Sequence, residues 1–154
     1  MAKKSKFIQE SEKITWISWA IVCQLKSYQL AYHINERCEW NLIRLKNLLS
    51  NEESKTIGFA LYNYQKDLMQ PDFYLIALKE DRNVLVKGLK QFDYLIQARL
   101  PDEDTQWDSS ALMQRIKSIE HLQGVFEIDM DRIKNTNVLY FDKQLDKLDL
   151  ENED

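Results

Sequence analysis

Apolar positions along the chain recur in two rhythms, one with a period near two and one near three and a half. Ile14 to Cys23 is the most apolar run, interrupted only by Thr15 and Ser18. It is short, β-branched and aromatic, which predicts a strand covered on both faces. Helical spacing follows over Gln24 to Glu39, where Leu30, Ala31, Ile34 and Cys38 form one stripe flanked by Tyr28 and Tyr32. Trp40 to Leu45 predicts a short strand, and Lys46 to Lys55 a polar connection. Over Ile57 to Tyr64 the residues alternate, with Ile57, Phe59 and Leu61 on one side and Tyr62 and Tyr64 on the other. A turn region from Gln65 to Asp72 contains Pro71 and leads to a strand over Phe73 to Leu78. Lys79 to Asn83 is a polar turn and Val84 to Val86 a brief extended piece.

Phe92 to Leu100 has the most regular alternation. Phe92, Tyr94, Ile96, Ala98 and Leu100 share one face; Asp93, Leu95, Gln97 and Arg99 share the other. That pattern suits an antiparallel sheet with one face buried. After Pro101 and the loop Asp102 to Trp107, a helix is marked at both ends. Asp108, Ser109 and Ser110 can cap its start, Leu112, Met113, Ile116 and Ile119 make its apolar face, and Gly124 is placed as a C-cap. Strands over Val125 to Met130 and Val138 to Phe141 complete the order. The expected fold is α+β: a mainly antiparallel sheet with two helices packed on one face, ferredoxin-like with extra meander strands. The predicted organisation is an N-terminal arm over residues 1–12, a single domain over 13–141, and an acidic C-terminal tail over 142–154.

Charge narrows the partners. The chain holds 25 acidic and 21 basic residues in 154, for a net charge of −4. Residues 142–154 carry six of the acids and two of the bases, so the rest balances at 19 of each. A neutral body lacks the positive field that dominates nucleic-acid affinity, and no nucleic-acid partner is expected. Gly58, Phe59, Ala60 and Tyr64 overlay part of an RNA-recognition signature, but Ile57, Leu61 and Tyr62 miss it. Nor is a membrane partner expected: no apolar run approaches the roughly 20 residues of a spanning helix, and nothing reads as an export signal. Two cysteines are too few for a disulfide framework, so reduced thiols and a cytoplasmic location are expected.

Chemistry-bearing groups are sparse. His33 reads as a helix-surface residue and His121 as a helix C-terminal one. Cys23 and Cys38 lack a second cysteine at zinc-ligand spacing and read as buried, inert thiols. Three isolated glycines cannot build a phosphate-cradling loop. If the strand over Val125 to Met130 holds, Glu127, Asp129 and Asp131 share one face. Such a row could hold Mg²⁺, but the same alternation simply keeps charges in water. The Asp102, Glu103 and Asp104 run reads as loop. No catalytic, cofactor-binding or metal-binding residue is assigned, and no cofactor is expected.

The segment order also carries a resemblance. Residues Leu25 to Tyr32, Phe59 to Tyr64, Phe73 to Ile76 and Val125 to Asp129 resemble the small bacterial family named for the pattern IPExxxVDY. At the naming motif, Val86 to Tyr94, Asp93 and Tyr94 agree, while Lys87 and Gly88 replace its Pro and Glu. The family carries no assigned activity, so the resemblance implies no mechanism. Asp93 itself is positioned to accept a hydrogen bond from a turn or from an arginine such as Arg99. Aromatics outnumber catalytic groups, with seven Tyr and four Trp, at Trp16, Trp19, Trp40 and Trp107. The expectation is a non-enzymatic domain acting through protein contacts, as a homodimer or with an unknown protein partner. The alternative is a ferredoxin-like module sensing a small metabolite between strand and helix ends.

Overall fold

The computed structural model describes residues 15–52, 55–102, 104–134, 136 and 139. Its elements run β1 (Thr15–Cys23), α1 (Ser27–Cys38), β2 (Ile43–Arg44), β3 (Leu48–Glu52), β4 (Lys55–Phe59), β5 (Leu61–Gln65) and β6 (Asp72–Ala77). They continue with β7 (Lys79–Glu80), β8 (Asn83–Val84), β9 (Tyr94–Leu100), α2 (Ser109–Lys117) and β10 (Leu122–Ile128). Short 3-10 turns lie at Lys87–Leu89 and Met130–Arg132.

Six strands form one sheet in the order β10-β1-β9-β6-β5-β2, antiparallel throughout. Set against the chain order β1-α1-β6-β9-α2-β10, the four strands β10-β1-β9-β6 follow a ferredoxin-like plan. The last strand lies beside the first, then the third, then the second. The strands β5 and β2 extend the sheet beyond β6. The α+β expectation is met.

Both helices lie on the same sheet face. Leu30, Ala31, Ile34 and Cys38 of α1 are buried, as their spacing predicts, and pack with Met113 and Ile116 of α2 and with Ile119 just beyond it. Trp19, Ile21, Phe73, Leu75, Tyr94, Ile96 and Ala98 meet them from the sheet. Asp108 caps α2, its carboxylate accepting the Ala111 N–H at 3.0 Å.

The expectation of one buried sheet face is corrected. Leu95 and Gln97, on the supposedly solvated face of β9, are both fully buried. That face carries a second apolar layer of Ala20, Leu61, Tyr74, Ile76 and Leu95. Leu45, Phe59, Leu78, Leu85, Val86, Leu89 and Met130 cover it from the hairpins and 3-10 turns. Phe92 also belongs to this second side, not with Tyr94. Its N–H closes a turn onto the Leu89 carbonyl at 2.9 Å, so the strand alternation starts only at Tyr94.

Further boundaries differ. Part of the polar connection, Leu48–Glu52, is strand β3, because it pairs residue by residue with β4. The run from Ile57 to Tyr64 is two strands broken at Ala60, β4 in a two-stranded ribbon with β3 and β5 in the six-stranded sheet, although its two faces are as predicted. Helix α2 ends at Ser118, not Gly124: the Ser118 hydroxyl takes the Arg115 carbonyl at 2.6 Å, competing with further helix bonds. Gly124 lies within β10, where an added Cβ would meet the Phe126 ring at 2.6 Å. Of the strand expected over residues 138–141, Leu139 is described and fully buried in the second layer. The arm over 1–12 and the tail over 142–154 lie outside the described residues.

Candidate functional site

Three places bring chemistry-bearing side chains together. The first is an aromatic pocket where α1 ends, α2 begins and the β5–β6 hairpin turns. Its walls are Trp40, Tyr64, Phe73, Trp107 and Leu112, with Cys38 alongside and Glu39, Lys66 and Gln70 at its rim; it is a half-open pocket of about 280 Å³. The backbone explains the position of Trp40. Glu39 takes a left-handed conformation (φ 57°) that ends α1, and the Trp40 N–H returns to the Asn35 carbonyl at 3.2 Å. Trp40 thereby lies flat over Phe73, with centroids 4.2 Å apart and planes 28° apart, and against Tyr64 at 5.6 Å. Trp107 meets Phe73 edge-on at 5.6 Å and Trp19 at 6.0 Å. The four tryptophans therefore serve packing: Trp19 is buried and Trp16, Trp40 and Trp107 are half-buried.

Burial pushes the Cys38 thiol up to about 11, with Arg115 pulling the other way. Burial also raises Cys23, and Asp93 adds to that rise. Both cysteines are free, and neutral thiols are poor nucleophiles.

The second place is an open groove of about 920 Å³ between the start of β1 (Thr15 to Ser18) and the residues from Glu127 to Asp131. The carboxylate row read from sequence does not form, because β10 stops at Ile128. Asp129 instead caps the following turn, accepting the Asp131 N–H at 3.1 Å and pairing with Arg132 at 3.5 Å. Among the described residues, no group of three or more His, Cys, Asp or Glu side chains is placed to hold a metal ion.

The third is a contact no spacing rule could reveal. His33 of α1 and His121, after α2, face each other with ring centroids 5.7 Å apart and planes at 50°.

Asp93 and Tyr94 have structural work at the junction between β1 and α1. One Asp93 oxygen accepts the Cys23 N–H at 2.9 Å and the other accepts from Lys79 at 3.1 Å, so its side-chain partner is Lys79 on the β7–β8 hairpin rather than Arg99. The Tyr94 hydroxyl donates to the Leu25 carbonyl at 2.5 Å. Burial, first, and then the neighbouring Cys23 and Asp93 push the Tyr94 hydroxyl well above its usual range, so it stays a donor. Tyr62 is buried, its hydroxyl 3.2 Å from Ser27 and its ring under Arg44. Phe59 is fully buried, so the partial RNA-recognition pattern presents no ring there for base stacking.

No protein-family model, curated protein or solved structure matches the chain. No described helix is long and apolar enough to cross a membrane.

Proposed function

We propose that this protein is a non-enzymatic domain that works by protein contact, pairing with a second copy of itself along strand β10. The observation that carries this reading is the β10 edge. Six of its seven residues pair with β1 on one side, and among the described residues no strand pairs with the other. An edge of this kind is a template for strand addition. A bulge at Gln123 leaves Gly124 to Ile128 in regular register with β1. A two-fold axis through the middle of that segment sets Phe126 against its own copy and Glu127 against Val125, with no like charges opposed. Phe126 is 49% exposed and leans on Phe92 at 5.9 Å, an aromatic anchor at the centre of such a contact.

Light scattering over a dilution series tests this. The chain should pass from dimer to monomer on dilution. Phe126→Arg should weaken association at least tenfold, or about 1.4 kcal/mol, by opposing two like charges. A strict monomer at every concentration removes the reading.

A second reading, a small-metabolite module, is supported by the aromatic pocket, which lies between strand and helix ends as that reading requires. A thermal-shift screen decides it: a ligand at 100 times its dissociation constant adds about 2.7 kcal/mol, and flat melts across apolar and aromatic metabolites count against it. Two free, buried thiols support a cytoplasmic setting for either reading. We also propose that the chain is a divergent relative of the IPExxxVDY family. Support comes from the two matching motif residues, Asp93 and Tyr94, which together hold the β1–α1 junction.

A further inference from the structure

We infer that His33 and His121 form a two-histidine surface site for a first-row transition-metal cation of the Cu²⁺, Ni²⁺ or Zn²⁺ type. This site stands apart from the β10 edge. The chain contains two histidines, and folding brings both to one place. A cation about 2.0–2.1 Å from one nitrogen of each ring holds the centroids roughly 4.5–6.4 Å apart, from right-angled to linear coordination. The observed 5.7 Å falls inside that span.

The two rings are presented from a fixed frame. His33 directly precedes Ile34, which is fully buried, and His121 lies between buried Ile119 and half-buried Leu122. The segment carrying His121 is held at both ends, by α2, which packs on α1, and by β10, which pairs with β1. The Tyr32 ring meets His33 edge-on at 5.5 Å. Solvent reaches the pair, since His33 is half-buried and His121 exposed.

Imidazole nitrogens select borderline cations over Mg²⁺ or Ca²⁺, and copper binds most tightly of the divalent series. With two protein ligands, the remaining coordination positions belong to water, so the ion exchanges. Binding requires neutral imidazoles and weakens as acid protonates them. The flanking residues on the same segments carry both signs: Glu36 and Glu120 against Arg37 and Lys117.

The test is calorimetric titration of the full chain, without any histidine tag, with Cu²⁺, Ni²⁺ and Zn²⁺ in turn and Mg²⁺ as control. One ion per chain is expected for the three transition metals and none for Mg²⁺. His33→Ala and His121→Ala should each weaken binding at least tenfold while leaving the melting temperature of the metal-free protein unchanged within a few degrees. Copper bound to the parent chain should give an electron paramagnetic spectrum with two coupled nitrogens, and each single variant should show one. Absence of binding at millimolar metal overturns the site. So does binding that survives in the double variant, or that depends on one histidine alone. If a variant shifts the melt, His33→Gln and His121→Gln replace it, and the nitrogen count decides.

Discussion

Replacing Phe73 with alanine should destabilise the protein by about 3–5 kcal/mol, read as a lower urea midpoint at unchanged slope. Phe73 is 6% exposed on β6, opposite Tyr64 on β5 and Ala98 on β9. Its ring lies beneath Trp40 and takes the edge of Trp107, so one truncation removes two aromatic contacts and opens a hole between them. Each such pair contributes about 0.5–1.5 kcal/mol beyond its buried area. The void closes poorly, because Trp40 is fixed by the end of α1 and Trp107 precedes the cap of α2. Against a typical total stability of about 5–15 kcal/mol, the loss is a large fraction. Tryptophan emission should shift to the red in the folded variant as Trp40 and Trp107 gain water. A cost below about 1 kcal/mol would show that the stack is not what joins the helix ends to the sheet.

How much of this was readable from sequence depends on the range of the contact. The α1 stripe was legible because Leu30, Ala31, Ile34 and Cys38 report burial by local spacing alone. The strand ending at Leu100 was legible for the same reason. Its second face was not: Gln97 looks solvated, yet it is fully buried and donates to the Ser18 hydroxyl at 3.1 Å across the sheet. Asn63 is similar, buried and donating to Asp72 at 2.6 Å and to the Phe73 carbonyl at 2.9 Å. Polar side chains that hydrogen-bond between neighbouring strands of the sheet imitate a surface when read one strand at a time. Strand β3 was missed because its partner β4, not its own composition, makes it a strand. The carboxylate row failed where a single capping interaction at Asp129 ended β10. The histidine pair had no local signal at all, since α1 and the connection between α2 and β10 come together only in the folded chain.

Asp93→Ala should cost about 2–3 kcal/mol, nearly all through one hydrogen bond. The carboxylate holds two partners, and their environments differ. The Cys23 N–H is a donor on a buried residue at the end of β1, just where the ladder shifts register and offers no regular strand partner. Left without an acceptor, such a donor forfeits about 1–3 kcal/mol. Lys79 is 39% exposed and Asp93 20%, so their ion pair is solvent-screened and adds about 0–1 kcal/mol. Asp93→Asn separates the two: its amide oxygen can still accept from Cys23 while the charge is gone, so it should recover more than half of the loss. If Asn is as damaging as Ala, the ion pair dominates and the assignment is wrong. Tyr94→Phe should cost about 0.5–1.5 kcal/mol by freeing the Leu25 carbonyl. The double variant Asp93→Ala/Tyr94→Phe should fall short of the sum of the two, because both side chains hold the same residues between Cys23 and Ser27. Once either anchor is lost, that connection loosens and the other has less structure left to hold.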